Sequence, residues 1–222
     1  LLFAATLEGA WARPMLATAP GLGVASSFAV LAASTVTNTG PTIVTGDLGV
    51  SPGTAVTGFP PGSVVGGTIH SADGVAAQAQ ADALVAYNAL AGQACDTDLT
   101  GQDLGGQTLT PGGYCFSSSA QLTGILTLDG EGDPNAVFVF QIGSTLTTAS
   151  ASSVLLINDA SACNVFWQVG SSATLGTRTM FKGNILALAS NTLTTGVNVS
   201  GRVIALTAAV TMDSNTISGC TG

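Results

Sequence analysis

The sequence predicts a mostly β protein built as a solenoid. A short pattern recurs at intervals of roughly twenty residues, a period typical of solenoid repeats. An apolar residue between two small outward-pointing ones is typical of a strand with one buried face, and its repetition indicates stacked coils. The copies are Thr35-Val36-Thr37, Gln121-Leu122-Thr123, Thr145-Leu146-Thr147, Thr174-Leu175-Gly176, Thr192-Leu193-Thr194 and Ala209-Val210-Thr211.

The composition supports this fold and excludes two classes of partner. The chain has 222 residues, of which charged residues are only 7%, whereas about 25% is usual. Its surface must therefore be built largely from Thr, Ser, Asn, Gln and Gly. No apolar run reaches the ~20 residues of a membrane span. The net charge is −8 with four Lys and Arg residues, so we expect neither a nucleic-acid partner nor a membrane partner.

The first residues look different from the rest of the chain. Leu1 to Thr6 is apolar, and Ala10-Trp11-Ala12 before Arg13 resembles a small-residue cleavage site. We interpret residues 1–20 as the remnant of a secretory signal peptide; the alternative is an ordered N-terminal extension. Residues 21–222 then form a single domain, and we expect the protein to be secreted.

One segment has the period of a helix. From Phe28 to Gly67 the chain is strand-like, with turns at its Gly and Pro pairs, and the helix is predicted at about 71–91. Ser71 or Asp73 can cap its start and Gly92 its end. Its apolar stripe is Ala76, Ala79, Ala83, Tyr87 and Leu90.

The stripe predicts that the helix packs along the side of the solenoid. Gln78 and Gln80 are predicted to lie on its outer side. A polar capping loop is expected at about 93–113, after which strands resume. The repeats begin near Tyr114, Val137, Val165, Ile185 and Val203.

Large aromatic residues in the first three of these repeats are predicted to fill the core. They are assigned to like positions, and the later repeats carry Ala there. The aromatic residues are Phe116, Phe140 and Trp167, and the alanines are Ala187 and Ala205.

The cysteines indicate disulfides rather than a metal site. Cys95, Cys115, Cys163 and Cys220 contain no C-x-x-C pair, and the chain has one His, which leaves too few ligands for zinc. Three pairings are possible. We predict the sequence-local one, Cys95–Cys115 with Cys163–Cys220, as in a secreted protein.

Two segments match catalytic or metal-binding motifs only in part. Gly49-Val50-Ser51-Pro52-Gly53 matches G-x-S-x-G, but the only His is His70 and no helix is expected after Ser51, so a turn is predicted. The acidic segment 129–133 could hold Ca²⁺ but lacks the later Glu of an EF-hand, and a solvated loop is preferred. We expect no cofactor, no metal and no catalysis.

A second hydroxyl pattern supplies the candidate binding residues. It reads Thr, a small residue, any residue, then Thr or Asn, and small residues beside Thr would keep a face flat. An alternative is that Thr and Ser merely suit exposed strands. Complete and partial copies contribute Thr39, Thr42, Thr54, Thr57, Thr123, Thr148, Ser150, Thr177, Thr179, Thr195 and Asn198.

Several segments resemble the microbial ice-binding proteins that have an irregular β-solenoid and one accessory helix. The resemblance covers about Ala25 to Gly219. It is carried by the segments Ala81-Asp82-Ala83-Leu84-Val85-Ala86-Tyr87-Asn88, Leu109-Thr110-Pro111-Gly112-Gly113-Tyr114, Val137-Phe138-Val139-Phe140-Gln141-Ile142-Gly143-Ser144-Thr145-Leu146, Asn164-Val165-Phe166-Trp167-Gln168-Val169-Gly170, Phe181-Lys182-Gly183-Asn184-Ile185-Leu186 and Gly201-Arg202-Val203.

The resemblance implies a three-faced, right-handed β-solenoid with the helix packed along its side. It also implies binding to an ice crystal surface, with thermal hysteresis and inhibition of recrystallisation, through the flat face carrying the second hydroxyl pattern. We expect a monomer. Leu126, Ala151 and Arg178 depart from the pattern because they bring bulk or charge or lack the hydroxyl.

The sequence fits two other functional classes less well. A secreted adhesive or polysaccharide-binding solenoid would need aromatic platforms on its surface, whereas the aromatic residues here fall at core-like positions. A sugar-cleaving enzyme would need a groove with facing carboxylates, whereas the acidic residues here cluster in loops. Ice binding is therefore preferred.

Overall fold

A computed structural model describes residues 17–220 and confirms the β-solenoid. Its strands form three sheets of nine, seven and eight strands, and neighbouring strands within each sheet run parallel, as in the β1–β22 and β2–β23 pairs defined below. We call these sheets A, B and C in that order. Each complete coil contributes one strand to each sheet.

The N-terminal part of the chain forms the first coils and the helix. A short 3-10 turn (Gly23–Ser27) precedes the first strand, and the helix α1 follows the seventh. The elements are β1 (Phe28–Ala32), β2 (Thr35–Thr39), β3 (Ile43–Thr45), β4 (Asp47–Val50), β5 (Ala55–Thr57), β6 (Ser63–Val65), β7 (Ile69–Ser71) and α1 (Gly74–Ala91).

The C-terminal part forms the remaining coils, with a second 3-10 turn at Ala162–Asn164. Its strands are β8 (Thr97–Asp98), β9 (Thr108–Leu109), β10 (Gly112–Phe116), β11 (Ala120–Leu122), β12 (Ile125–Asp129), β13 (Phe138–Ile142), β14 (Leu146–Thr148), β15 (Ser153–Ile157), β16 (Val165–Val169), β17 (Ala173–Leu175), β18 (Met180–Lys182), β19 (Asn184–Ala187), β20 (Asn191–Leu193), β21 (Asn198–Ser200), β22 (Val203–Ala205), β23 (Val210–Asp213) and β24 (Thr216–Ser218).

The chain does not wind from one end of the stack to the other. Sheet A has the order β7-β4-β1-β22-β19-β16-β13-β10-β8, sheet B the order β11-β14-β17-β20-β23-β2-β5, and sheet C the order β6-β3-β24-β21-β18-β15-β12-β9. The first coil therefore pairs with the last one in the middle of the stack, through β1–β22, β2–β23 and β3–β24. We call this junction the seam.

Stacked aromatic rings fill the bore of the C-terminal coils. The rings of Tyr114, Phe140 and Trp167 lie in register on adjacent strands, with centroids 5.4 Å and 3.9 Å apart. Phe116 is in register with Ile142 instead. Its predicted equivalence with Phe140 and Trp167 was therefore wrong by two residues, although all of these rings are buried as predicted.

The helix lies against sheet A, as the apolar stripe predicted. The Asp73 carboxylate caps its start by accepting a hydrogen bond from the Ala76 N–H at 2.8 Å, and Gly92 is its C-cap. Every residue of the predicted stripe is buried, and all of them except Ala76 belong to a cluster with Phe28, Leu31 and Phe166. The prediction for Gln80 was wrong, because its side chain is half-buried and donates to the Ala205 carbonyl at 3.2 Å.

Both predicted disulfides are present, Cys95–Cys115 and Cys163–Cys220. The first closes the loop at 93–113, which also contains the short strands β8 and β9. Residues 1–16 of the predicted signal remnant lie outside the described part of the chain. Thr18, by contrast, exchanges two hydrogen bonds with the Gln93 side chain, so the folded unit extends beyond the predicted boundary at residue 21.

Candidate functional site

Sheet B presents one continuous file of outward-pointing Thr side chains. A file here means the residues at one register position of successive strands. Pairing carries the file across the seam through Thr211 and Thr37. We call its Thr residues the central Thr file: Thr147, Thr174, Thr192, Thr211, Thr37 and Thr57. Gln121 occupies this position on the end strand β11.

Small side chains flank this file on both sides. The file two residues earlier contains Ser119, Thr145, Ser172, Ser190, Ala209, Thr35 and Ala55. Its hydroxyls pair between coils, Ser119 with Thr145 at 2.8 Å and Ser172 with Ser190 at 2.9 Å. The file two residues later, which we call the later flanking file, contains Thr123, Ala149, Gly176, Thr194, Asp213 and Thr39.

The packing beneath sheet B makes its surface rigid. Residues between the outward positions are buried, for example Leu146, Leu175 and Val210. Neighbouring strands lie ~4.8 Å apart and alternate residues along a strand ~7 Å apart. Thr is β-branched, so its side chain has few conformations to lose. The result is a flat, regular grid of hydroxyl and methyl groups.

Most copies of the second hydroxyl pattern lie at the corner between sheets B and C, whereas the copy from Thr54 to Thr57 runs along β5. At two of the corner copies the small residue is a Gly with positive φ, +77° at Gly40 and +73° at Gly196, a conformation that is cheapest for Gly. Ala151 and Arg178, each with φ +58°, have the same conformation despite their side chains. At these corner copies the registration of Thr with a small residue is therefore a property of the turn and not of a flat face.

Three predicted binding residues are buried, so their assignment to the binding face was wrong. The Thr42 hydroxyl accepts from the Asn215 N–H at 3.0 Å. The hydroxyls of Thr148 and Thr179 lie 2.8 Å apart, and that of Thr179 also donates to the Gly176 carbonyl at 2.7 Å. These side chains point inward because each turn needs partners for its buried backbone groups.

The other predicted residues lie at the surface but in different places. Thr57 belongs to the central Thr file, and Thr39 and Thr123 belong to the later flanking file. The residues at the corner or just before a strand are Thr54, Ser150, Thr177 and Thr195. Asn198 lies half-buried on sheet C.

The sequence-based selection missed most of the central Thr file. Thr37, Thr147, Thr174, Thr192 and Thr211 all occur in the first repeated pattern, which predicted the strands. Their recurrence at the solenoid period was the signal that could have identified them as binding residues.

Sheet C is exposed too, but its surface is less uniform. It carries one cation, Lys182, whose ammonium donates to the Ser200 hydroxyl at 2.8 Å. Large apolar side chains interrupt its Ser and Thr residues, namely Ile43, Val65, Ile125, Leu155 and Met180. Residues at the same register position of neighbouring strands therefore differ in size on sheet C, whereas those of the central Thr file are all Thr.

Within residues 17–220 no group of three or more His, Cys, Asp and Glu side chains is placed to hold a metal. The Asp129 carboxylate instead accepts from the Glu131 N–H and the Asn158 amide, both at 2.8 Å. Ser51 is buried, and the element that follows it is the strand β5, not a helix. The helix described in this range is not sufficiently long and apolar to cross a membrane.

Charged groups near the helix start have a structural role. The Asp73 carboxylate lies 2.7 Å from His70 Nδ1. The hydrogen bond from the Ala76 N–H, with a smaller contribution from His70, lowers the pKa of Asp73 below its usual value. Both groups lie at the N-terminal end of α1, with His70 on the sheet A strand β7.

Comparison with known proteins adds independent information. The sequence model of the Ice-binding-like family matches residues 30–218. An ice-binding protein of Nostoc sp. (strain HG1) is 66% identical over 198 residues, which cover 89% of this chain and 73% of that protein. Ice-binding protein 1 of Shewanella frigidimarina is 36% identical, and the match covers 96% of this chain but only 27% of that longer protein.

A solved structure shows the same architecture. The crystal structure of an ice-binding protein from the Antarctic ascomycete Antarctomyces psychrotrophicus matches with a TM-score of 0.89 and 44% sequence identity. The match covers 92% of this chain and 100% of that one.

Proposed function

Because this chain belongs to the Ice-binding-like family, we propose that it binds ice and does so through sheet B. The observation that carries the choice of sheet is the central Thr file, which continues in register across the seam. Adsorption there would produce thermal hysteresis and inhibit ice recrystallisation.

The chemistry of this surface favours ordered water. A Thr methyl disfavours ordinary hydration while its hydroxyl anchors a water molecule by donating and accepting hydrogen bonds. Repetition at ~4.8 Å and ~7 Å in two directions can match a crystal lattice. Each contact is weak, so preorganisation decides whether many can act together.

Sheet A is not available for this role. The helix covers it, and the outward residues Leu31, Leu186 and Ile204 are buried in the cluster beneath the helix. Sheet C remains as the competitor, because it is exposed and has the same strand spacing. The proposal therefore depends on a comparison of sheets B and C.

The test places a Tyr on each candidate surface in turn. Thr174→Tyr and Thr192→Tyr change the central Thr file, Thr195→Tyr the corner, and Asn198→Tyr and Thr216→Tyr sheet C. Crystals growing in each solution are viewed on a cold-stage microscope, and melting temperature is measured in parallel. We expect the first pair to lose most hysteresis with nearly unchanged melting temperature.

Two results would overturn the proposal. Loss of hysteresis only in Asn198→Tyr or Thr216→Tyr would move the site to sheet C. Rounded, unshaped crystal growth with the unmodified protein would exclude ice binding. Retention of the protein on an insoluble polysaccharide, in the absence of ice shaping, would support the adhesive alternative instead.

We further propose that the protein acts outside the cell, as a monomer and without catalysis. Its two disulfides suit an oxidising compartment. Its buried aromatic rings, Phe116, Phe140 and Trp167, offer no platform for a sugar. Residues 21–222 and the few that precede them would form the ice-binding domain.

A further inference from the structure

One outward side chain of sheet B differs in chemistry from its neighbours. Asp213 ends β23 and lies in register with Thr39. On its other side Met212 is in register with Leu193, so the next residues along the two strands, Asp213 and Thr194, share a file. Asp213 is the one ionisable side chain in the three files described above. It is half-buried, so part of its carboxylate reaches the surface.

The carboxylate has partners on its protein side. Oδ2 accepts from the Thr195 hydroxyl at 2.5 Å, and Oδ1 accepts from the Ser214 hydroxyl at 3.0 Å. These bonds hold the corner together and give a structural reason for an acid here. An ionised carboxylate has about four acceptor positions, so about half remain for water.

No opposite charge neutralises this group. Among residues 17–220 the one ion pair within 4.0 Å joins His70 to Asp73. Arg178, on a nearby coil, donates its backbone N–H to the Thr195 carbonyl, and its side chain passes over Gly196. On the other side, Thr39 and Gly40 carry no charge. Within the described part of the chain, the Asp213 carboxylate therefore has no paired cation at the surface.

This charge is incompatible with the lattice that the surface is proposed to bind. A carboxylate only accepts hydrogen bonds, so each water beside it must point a hydrogen toward it. In ice each water donates as many hydrogen bonds as it accepts. We propose that Asp213 limits ice adsorption by sheet B, because its charge keeps liquid-like hydration within the later flanking file. This inference rests on the proposed function of sheet B.

The experiment removes the charge while keeping the shape. Asp213→Asn retains one oxygen for the Thr195 hydroxyl and adds an N–H donor. Asp213→Thr instead continues the file of Thr194 and Thr39, and provides a second variant if the first folds poorly. The control is Asp159→Asn, which changes net charge equally at an exposed loop residue.

We expect the concentration needed to inhibit recrystallisation to fall about threefold in Asp213→Asn or Asp213→Thr, a size typical of an exposed charge interaction. An unchanged or higher concentration in every variant that folds would overturn the inference. An equal fall in Asp159→Asn would overturn it too, by assigning the effect to net charge. Thr192→Tyr separates the two proposals: if it retains full activity, the choice of sheet B fails, whatever Asp213 does.

Discussion

At the scale of single residues, the same side-chain type has two roles in this protein. Thr174 points outward from sheet B, whereas Thr179, five positions on, is buried and hydrogen-bonded within the turn. A buried hydroxyl that loses its partners costs free energy, while an exposed one can bind water. Composition alone does not separate these roles.

Replacing the hydroxyl by a methyl group should distinguish them. Thr179→Val leaves the Thr148 hydroxyl without its 2.8 Å partner and should lower the free energy of unfolding by about 1–3 kcal/mol. Thr174→Val should change it little. Chemical denaturation measures both, and thermal hysteresis should be retained in Thr179→Val. Equal stability of the two variants would contradict the assignment.

At the scale of elements, the helix covers the apolar outer face of sheet A. Its narrow Ala face allows close approach to sheet A, and Ala76, Ala79 and Ala83 are fully buried. Its Asp82 carboxylate also accepts from the Val24 N–H at 2.7 Å, which ties the helix to the segment before β1. At its other end the Leu90 carbonyl accepts from the Gln141 side chain of β13 at 2.7 Å, so the helix connects both groups of coils.

A charge on the buried side of the helix should be poorly tolerated. Ala83→Asp places a carboxylate where the wild-type side chain is 0% exposed, at a cost of about 4 kcal/mol or more. Ala81→Asp makes the same chemical change at an exposed position of the same helix. Circular dichroism should show a large fall in melting temperature only for Ala83→Asp. A similar fall in both variants would mean that burial is not the cause.

At the scale of the whole molecule, the proposed ice surface depends on the seam. Four members of the central Thr file come from the C-terminal coils and the others, Thr37 and Thr57, from the N-terminal ones. Arg202 joins the two groups. It is 5% exposed, and it donates to the carbonyls of Ser26 and Cys220 and to the Asn184 side chain.

Burial lowers the pKa of Arg202, but the group stays protonated because an arginine titrates far above neutrality. Its hydrogen bonds to backbone carbonyls therefore carry a full charge. The Cys163–Cys220 disulfide lies beside it and closes a span of 57 residues. By loss of chain entropy in the unfolded state, a loop of this length raises the free energy of unfolding by about 4 kcal/mol.

Removing the Arg202 side-chain donors should loosen the seam. Arg202→Met should lower the free energy of unfolding by about 3 kcal/mol or more, because buried acceptors lose their partners. Arg178→Met, at an exposed corner position, is the matched control and should have little effect. Urea denaturation compares them. If Arg202→Met unfolds at the same urea concentration as the control, the seam is held by strand pairing alone.

Local pattern by itself determined the solenoid, the helix and the disulfides of this protein. Alternation and period place each apolar residue on an inward or outward side, and the stripe from Ala76 to Leu90 requires a covered face. These features depend on residues close in sequence, or on few possible pairings, as for the cysteines. The family resemblance added the expectation of ice binding and of three faces.

Only the tertiary structure decided which hydroxyls share a surface. At two copies of the second hydroxyl pattern the last residue points inward, so Thr42 and Thr179 are buried, whereas Thr57 is exposed on sheet B. The central Thr file instead depends on the register between distant strands, including the pairing of Thr37 with Thr211 across the seam. That register is set by long-range packing of the first coil on the last, which no local sequence pattern encodes.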